Sequence, residues 1–186
     1  MDYLIRKGKQ LSYLLRHDLS AFSSGLIDEN GWRSVNEIIL NYGFTPALLQ
    51  EIVASNNKQR YEFNSDCTKI RARQGHSIHV NVELKIATNI TESNPYLWHG
   101  TSDRFIEDIK ERGLIAGARL YVHLSGDEKT AQEVGRRHGG RQVCIICIDA
   151  YKMILDGKTI YISNNGVYNV DKVEPQYFID IKYISQ

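Results

Sequence analysis

The residues His99-Gly100-Thr101 close a short apolar run, residues 96–98, with an imidazole, a glycine and a hydroxyl in succession. A glycine at a turn lets a ligand approach the backbone, and His and Thr supply a directed donor and acceptor for sugar hydroxyls or an amide. We predict that the strand ends here in a tight turn and that a helix starts after Ser102-Asp103. The alternative is a capped turn with a surface histidine, because three-residue motifs often arise by chance.

Cationic groups occur twice in the first half of the chain. Arg16-His17 ends an apolar-faced helical segment, and Arg71 alternates with Arg73 on a strand-like run. Arginine grips phosphate through two parallel hydrogen bonds, and histidine adds a further charge-assisted bond. We therefore interpret Arg16, His17 and Arg71 as converging on a phosphate. The alternative for Arg16-His17 is a solvated helix end, where cations are favoured by the helix dipole.

The second half of the chain carries further candidates. Arg119 precedes a run, residues 121–125, that contains His123. His123 points away from Val122 and Leu124, and a core histidine is the alternative to a ligand-binding one. Arg136-Arg137-His138 forms a basic patch that we interpret as a solvated helix end, with phosphate contact as the alternative.

Composition is typical of a soluble globular protein, with 186 residues, 42% hydrophobic and 24% charged, and a net charge of +1. No apolar run approaches the roughly 20 residues that span a membrane, and the N-terminus has no signal-peptide pattern. We expect an intracellular, cytoplasmic protein, or a nuclear one in a eukaryote. Three cysteines fit a reducing compartment. Cys144 and Cys147 lie on one predicted strand and point to opposite faces, so we expect core residues and no metal site.

The apolar spacing and the capping signals in the N-terminal half of the chain predict three helices. An apolar stripe ends at Arg16, Ser34 and Glu37 match a capping box, and Thr45-Pro46 is an N-cap followed by proline at the first helical position. Two alternating runs then flank residues 64–66, which predicts a hairpin.

Helices followed by a hairpin predict a winged-helix lobe over residues 1–88, with Glu83 to Pro95 as a linker. Beyond it, strands interrupted by short helices predict an α+β lobe with a mostly antiparallel sheet over residues 89–186. Asn164-Asn165-Gly166 is a strong hairpin turn signal there. We expect strands at 96–99, 120–124, 143–148, 159–163, 166–170 and 177–184, and helices near 103–112, 127–138 and 149–155.

Seven segments, spread from Leu14 to Val167, resemble the RNA 2′-phosphotransferase family in the same order. They are Leu14-Leu15-Arg16-His17, Gly31-Trp32, Ile70-Arg71-Ala72-Arg73-Gln74-Gly75-His76-Ser77, His99-Gly100-Thr101, Val122-His123-Leu124-Ser125, Gly135-Arg136-Arg137-His138-Gly139 and Asn165-Gly166-Val167.

The resemblance implies a winged-helix RNA lobe followed by a lobe like that of NAD-dependent ADP-ribosyltransferases. It implies Arg16, His17, Arg71 and Arg119 as catalytic residues, with the first three around the 2′-phosphate and Arg119 reaching it from the NAD lobe. The NAD-binding residues that it implies are His99, Gly100, Thr101, His123, Leu124, Ser125 and Val167. Arg73 departs from the asparagine of many relatives, which leaves its role open.

The implied reaction removes an internal 2′-phosphate from RNA, as at a tRNA splice junction, with NAD as co-substrate and no metal. The phosphate displaces nicotinamide, giving RNA joined through phosphate to ADP-ribose. The ribose O2″ then attacks that phosphate, and the products are 2′-OH RNA and ADP-ribose 1″,2″-cyclic phosphate. The implied partners are RNA, in particular tRNA, and NAD; we expect a monomer without a membrane partner.

Two rival functions remain. An ADP-ribosyltransferase or NAD glycohydrolase would use the same C-terminal lobe, but many such enzymes carry a glutamate at the third signature position, and residues 164–167 contain none. The other rival function is that of a non-catalytic winged-helix protein that binds nucleic acid. Such a protein would bind RNA with or without the 2′-phosphate and would release no nicotinamide.

Overall fold

The computed structural model describes residues 3–56, 59–81 and 83–185, and their contacts divide the chain into two compact units. Unit one is Met1–Glu83 with Ala118–Leu120, and unit two is Leu84–Gly117 with Tyr121–Gln186. Arg119 therefore groups by contacts with unit one, whereas the boundary after residue 88 stays a prediction. No helix in the described ranges is both long and apolar enough to cross a bilayer.

The elements mix helices with antiparallel strands, which confirms the predicted α+β class. The helices are α1 Tyr3–Arg16, α2 Leu19–Ser23, α3 Val35–Tyr42, α4 Pro46–Ala54, α5 Ile106–Arg112, α6 Glu128–Gly135 and α7 Ala150–Leu155, with 3₁₀ turns at Asp103–Phe105, Arg136–His138 and Pro175–Tyr177. The strands are β1 Arg33–Ser34, β2 Tyr61–Phe63, β3 Lys69–Ala72, β4 Leu84–Ile86, β5 Tyr96–Ser102, β6 Leu114–Ile115, β7 Val122–Leu124, β8 Gln142–Asp149, β9 Tyr161–Ser163, β10 Tyr168–Val170, β11 Lys172–Val173 and β12 Phe178–Ser185.

Helices α3 and α4 of unit one begin at the predicted caps. The Ser34 hydroxyl accepts from the Glu37 N–H at 3.4 Å, and the Thr45 hydroxyl accepts from the Leu48 N–H at 3.2 Å. Gly43, with φ of 64°, ends α3 in the left-handed conformation that favours glycine. Local capping signals therefore define both helices.

The predicted hairpin of unit one is the antiparallel pair β2 and β3, to which β1 adds a third strand in the order β1-β3-β2. Strand β1 was not predicted, because a strand of two residues shows no periodicity. Buried side chains of α1, α3 and α4 pack with the sheet around Ile70, which is fully buried. The C-terminal end of α1 is thereby fixed on one hydrophobic core.

Arg33 is a buried arginine whose donors hold α1, α2 and α3 together. Its guanidinium donates to the Leu14 carbonyl at 2.9 Å, to Asp18 at 2.9 Å and to both oxygens of Glu37, at 2.6 and 3.0 Å. It also donates to the Tyr42 hydroxyl at 2.9 Å. Burial opposes its charge, but the bonds to Glu37 and Asp18 outweigh that effect and raise its pKa.

Unit two contains two larger antiparallel sheets, with strand orders β12-β8-β5 and β4-β9-β10-β7, and a small pair β11-β6. The predicted Asn164-Asn165-Gly166 turn joins β9 to β10, and the Ser163 N–H donates to the Val167 carbonyl at 3.0 Å. The predicted linker is partly wrong, because Leu84–Ile86 pairs with β9 as β4.

Strand β5 corrects the expected turn at His99-Gly100-Thr101. The strand continues to Ser102, and each of these three residues pairs with β8. A Cβ added at Gly100 would lie 1.7 Å from the Ala131 carbonyl oxygen of α6. Gly100 is thus required for close packing of a helix on the strand, not for the approach of a ligand at a turn.

The faces of β8 separate its two cysteines. Cys144 is buried in the main core of unit two with Ile146 and Ile148, whereas Val143 and Ile145 pack in a second cluster on the other face. Cys147 lies on that second face, since alternate residues of a strand point to opposite sides. Both thiols are free, as expected.

Candidate active site

Three segments of unit one meet at the C-terminal end of α1. The Ser77 N–H donates to the Arg16 carbonyl at 3.0 Å, and its hydroxyl lies 2.9 Å from His17 Nδ1. The Leu120 N–H donates to the His76 carbonyl at 3.2 Å, which brings residues 118–120 to the same place. Four side chains of these segments, Arg16, His17, His76 and Arg119, are called the anion cluster below.

Arg16 has few hydrogen-bond partners for its guanidinium group. Its Nη1 donates to the Ser12 hydroxyl at 3.2 Å, and its guanidinium lies 5.5 Å from the centre of the Tyr61 ring. Its Nε and Nη2 are buried without a hydrogen-bond partner in the part of the chain that the structure describes. Burial lowers the Arg16 pKa to about 10, helped by Arg60 and Arg119 and opposed by Tyr61.

His76 is more deeply buried, with 2% of its surface exposed. Neither ring nitrogen has a hydrogen-bond partner among the described residues. Burial lowers the His76 pKa to about 3, and the positive charges of Arg16, His17 and Arg71 lower it further. The ring is therefore neutral at pH 7.

His17 is less deeply buried than His76, and its pKa is lowered as well. Partial burial lowers its pKa, and the charges of Arg16 and Arg119 add to that effect. The cationic groups of the cluster thus destabilise one another's charged forms. Such an arrangement is relieved when an anion enters, because an opposite charge nearby favours every cation around it.

Arg33 and Arg16 differ in how many of their guanidinium nitrogens have a hydrogen-bond partner among the described residues. Arg33 is fully buried and donates to two carboxylates, a hydroxyl and a carbonyl, whereas Arg16 keeps two buried nitrogens unpaired. Buried polar groups in proteins are almost always paired, and an exception calls for an explanation. A bound anion that accepts from Arg16 Nε and Nη2 supplies one.

Arg71, the third predicted phosphate ligand, already has partners. Its Nε donates to Glu62 at 2.6 Å, its Nη2 donates to Glu83 at 3.0 Å, and its guanidinium lies 4.4 Å from the Trp32 ring. Its charge acts on His76, so it lies within electrostatic range of the cluster. Direct contact of Arg71 with phosphate stays a prediction.

Arg73 faces the same carboxylate as Arg71. Its Nη2 lies 3.0 Å from Glu62, and its Nη1 donates to Gln59 at 3.3 Å. Glu62 therefore bridges the two arginines of the hairpin. The structure assigns Arg73 to this bridge rather than to the anion cluster.

The NAD-site candidates lie in unit two on neighbouring strands. His99 of β5 lies with Nδ1 3.0 Å from the His123 carbonyl oxygen of β7. Since a carbonyl only accepts, Nδ1 carries the proton, which makes Nε2 an acceptor whenever the ring is neutral. Trp98 and Ser125 exchange two backbone hydrogen bonds, at 2.9 and 2.7 Å, which fixes this pair of strands.

Val167 lies beside the same strands. Its carbonyl accepts from the Asn169 amide at 2.8 Å, and Asn169 is paired with His123 across β10 and β7. Val167 thus lies just before β10, which pairs with the strand that carries His123, and the assembly of His99, His123 and Val167 into one NAD site stays a prediction. Thr101 is only 4% exposed, and its role as a ligand stays a prediction.

The basic patch at Arg136–His138 is a 3₁₀ turn whose three side chains are exposed. Arg104 donates to the His138 carbonyl there. This is the solvated helix end that the sequence favoured. Within the described residues no group of three or more His, Cys, Asp or Glu side chains is arranged to hold a metal ion.

His76 and Ser77 were not predicted as site residues, although both lie within a segment that resembles the family. The available signal was Gly75 just before them, whose φ of 85° marks a sharp change of chain direction. Tyr61 was missed as well, because its contact with Arg16 joins elements 45 residues apart.

Comparison with known proteins gives a consistent result. Residues 3–172 match the family described as "RNA 2'-phosphotransferase, Tpt1 / KptA family". A "Probable RNA 2'-phosphotransferase" of Flavobacterium johnsoniae is 44% identical over 175 residues, covering 91% of this chain and 92% of the relative. Proteins with the same description from Acaryochloris marina and Rhodopirellula baltica are 39% and 41% identical and cover 94% of this chain, and 95% and 94% of their own lengths. The chain is a transferase and belongs to the RNA 2′-phosphotransferase family.

Proposed function

We propose that this enzyme transfers an internal RNA 2′-phosphate, such as that of a tRNA splice junction, to the ADP-ribose part of NAD. The single observation that carries the proposal is Arg16, whose Nε and Nη2 are buried beside His17 and His76 and have no hydrogen-bond partner among the described residues. Two adjacent guanidinium nitrogens match two oxygens of a phosphate.

The anion cluster suits a phosphate monoester better than a neutral ligand. The pKa values of Arg16, His17 and His76 are lowered by burial and by neighbouring cations, so a bound dianion would stabilise the charged forms of Arg16 and His17. His76, neutral before binding, can donate one ring N–H to a phosphate oxygen. Ser77 holds the His17 ring at Nδ1, which leaves the ring orientation fixed.

The residues of unit two fit NAD as co-substrate. A nicotinamide ribose offers hydroxyls, and the carboxamide offers a donor and an acceptor. His99, held in one tautomer by the His123 carbonyl, presents an acceptor, and the buried amide of Asn169 lies on the adjacent strand pair. NAD supplies an electrophilic ribose carbon with nicotinamide as its leaving group.

The chemistry then follows two steps. An oxygen of the RNA 2′-phosphate attacks C1″, the C1″–N bond breaks, and nicotinamide leaves with the bonding electrons. The ribose O2″ next attacks phosphorus, and the bond from phosphorus to the RNA 2′-oxygen breaks. That oxygen takes a proton, which gives 2′-OH RNA and ADP-ribose 1″,2″-cyclic phosphate. Arginines stabilise the negative charge that grows on the phosphate oxygens in the second step.

In this proposal, unit one binds the RNA and unit two binds NAD. The helices of unit one with the sheet β1-β3-β2 support a winged-helix interpretation, in which β2 and β3 form the wing. The antiparallel sheets of unit two support an ADP-ribosyltransferase-like interpretation.

The test uses an oligonucleotide with one internal 2′-phosphate, incubated with NAD and the full chain. We expect nicotinamide, 2′-OH RNA and ADP-ribose cyclic phosphate in equal amounts. The Arg16→Ala variant should lose the activity, whereas Arg112→Ala should keep it, because Arg112 forms an exposed pair with Asp108. Nicotinamide release that is independent of 2′-phosphate would favour NAD glycohydrolysis or ADP-ribosylation of another acceptor. RNA binding without any turnover would favour a non-catalytic binder.

A further inference from the structure

A groove in unit one opens at Arg16 and is not explained by the 2′-phosphate. Its volume is about 490 Å³. One wall is the face of α1 that carries Gly8, Ser12 and Arg16, and the opposite wall is formed by the end of α4 at Ser55 and Asn56. A single phosphate fills only a small part of such a volume.

The groove follows α1 lengthwise. Its lining residues on this helix begin at Leu4 and end at Arg16, and they recur at helical spacing on one face. At 1.5 Å per residue, this is about 18 Å of groove. The shape suits an extended chain rather than a compact small molecule.

The charge of the groove is positive. Lys9, Arg16 and Arg60 are in the lining, together with the Tyr61 ring, and the remaining lining residues are apolar or uncharged. Arg60 is close enough to lower the pKa of Arg16. The Tyr61 ring is buried and supports the Arg16 guanidinium, so the cations are the groups that face the groove. A positively charged groove that follows the backbone is a common feature of proteins that bind single-stranded nucleic acid.

Gly8 keeps the groove open. It lies in the middle of α1, where glycine costs roughly 0.5 to 1 kcal/mol relative to alanine. A Cβ added there would meet nothing within 4 Å, so no packing demands glycine. The Gly8 carbonyl accepts from the Tyr61 hydroxyl at 3.3 Å, which holds the two sides of the groove together. The empty space above Gly8 is available to a ligand.

We propose that this groove binds a stretch of single-stranded RNA next to the nucleotide that carries the 2′-phosphate. The inference rests on the proposed function, because Arg16 belongs both to the groove and to the anion cluster. The RNA chain runs from the cluster along α1, with its phosphates near Lys9 and Arg60.

Binding is the primary test, because it does not depend on turnover. Fluorescence anisotropy is measured with a labelled 2′-phosphorylated dinucleotide and with the same dinucleotide extended by three unpaired nucleotides, on either side. The variants are Gly8→Met, which fills the groove, and Lys9→Glu, which reverses a charge in it. Lys129→Glu is the matched control, because it makes the same charge reversal at an exposed position of α6 in unit two.

The wild-type chain should bind one of the two extended RNAs more tightly than the dinucleotide. Gly8→Met and Lys9→Glu should each reduce that advantage by roughly 5-fold or more, because the first blocks the path of the RNA and the second repels a phosphate. Lys9→Ala should lower the slope of log affinity against log salt by about 0.7, as expected for one phosphate on a single strand. Lys129→Glu should leave the advantage as it is.

The groove proposal is overturned if both extensions add nothing to wild-type affinity, or if both groove variants keep the full advantage. A preference for duplex RNA of the same length would also overturn it. Circular dichroism and melting of Gly8→Met and Gly8→Ala show whether the fold is kept. If the wild-type chain removes no 2′-phosphate from any RNA, the proposed function fails, while the binding data still decide on the groove.

Discussion

The Ser77 hydroxyl lies 2.9 Å from His17 Nδ1, and the Ser77 N–H donates to the Arg16 carbonyl at 3.0 Å. One residue thus caps an orphan carbonyl of α1 and orients the imidazole that follows the helix. The two residues are 60 positions apart in sequence, and the segment after β3 carries the contact. The geometry of His17 therefore depends on the hairpin as well as on its own helix.

Replacement of Ser77 by alanine should slow turnover by roughly 10- to 100-fold, the usual effect of a small misplacement of a reacting group. The backbone bond to Arg16 stays, so the melting temperature should change little. Ser77→Thr keeps the hydroxyl and should restore kcat. An Ser77→Ala enzyme with a wild-type kcat and pH profile would show that Ser77 does not position His17.

The sequence predicted individual helices, strands and turns better than the contacts between them. The caps at Ser34 and Thr45 and the Asn164-Asn165-Gly166 turn each act within a few residues, so they were predictable. Strand β1 and the contact of Tyr61 with Arg16 depend on residues distant in sequence. Arg16 and His17 were predicted as site residues from residue type and motif, whereas the burial that makes His76 unusual is a property of the packed core.

Replacement of Arg16 by methionine should stabilise the ligand-free protein while it abolishes phosphate binding. It removes buried unpaired donors, each of which costs about 1 to 3 kcal/mol, and keeps much of the apolar stem. Arg33→Met is the matched comparison and should lower the free energy of unfolding by about 3 to 5 kcal/mol, because it leaves Asp18 and Glu37 buried without their cation. Chemical denaturation measures both.

A destabilised Arg16→Met protein would contradict this explanation. It would mean that Arg16 contributes to the fold through the Ser12 hydroxyl or the Tyr61 ring. The same variant in the presence of a 2′-phosphorylated nucleotide should show no rise in melting temperature, in contrast to the wild type.

His76 should make stability fall in mild acid. Its folded pKa is lowered to about 3 from the usual 6.5, so the unfolded chain takes up a proton first as pH falls. Stability is complete above pH 6.5 and is lost toward pH 3, at up to about 1.4 kcal/mol per pH unit. His17, whose pKa is also lowered, adds in the same direction.

The variant His76→Gln should flatten this dependence between pH 6.5 and 5. Asp18 and Glu37, whose pKa values are lowered, stay charged in that window and do not interfere. Urea unfolding at a series of pH values gives the slope. Equal slopes for wild type and His76→Gln would mean that His76 is accessible to protons in the folded state.

Gly100→Ala should act on the fold and not on a ligand contact. The added Cβ would lie 1.7 Å from the Ala131 carbonyl oxygen and 2.9 Å from the Gly135 nitrogen, so backbone must move. Overpacking of this kind costs about 1 to 3 kcal/mol. Gly8→Ala, which meets nothing within 4 Å, should instead stabilise α1 slightly. A Gly100→Ala protein of normal stability but weakened NAD affinity would restore the ligand explanation.

The last prediction concerns the two steps of the proposed reaction. In the first step the phosphate is the nucleophile, so cations should position it without removing its charge. In the second step phosphorus is attacked, and charge grows on the oxygens that Arg71 and Arg119 are proposed to contact. Arg71→Ala or Arg119→Ala should therefore slow the second step more than nicotinamide release, by roughly 10²- to 10³-fold for one lost donor.

The partners of Arg71 sharpen the test. Arg71 is bonded to Glu62 and Glu83, and Glu83 competes with a phosphate for the Nη2 donor that it holds at 3.0 Å. Glu83→Gln weakens that competing pair, so it should leave the second step as fast as in wild type or faster. In Arg71→Ala and Arg119→Ala, RNA joined through phosphate to ADP-ribose should accumulate as a slower band on a denaturing gel. If both variants stall with the 2′-phosphate RNA untouched, the two arginines serve substrate binding and the division between steps is wrong.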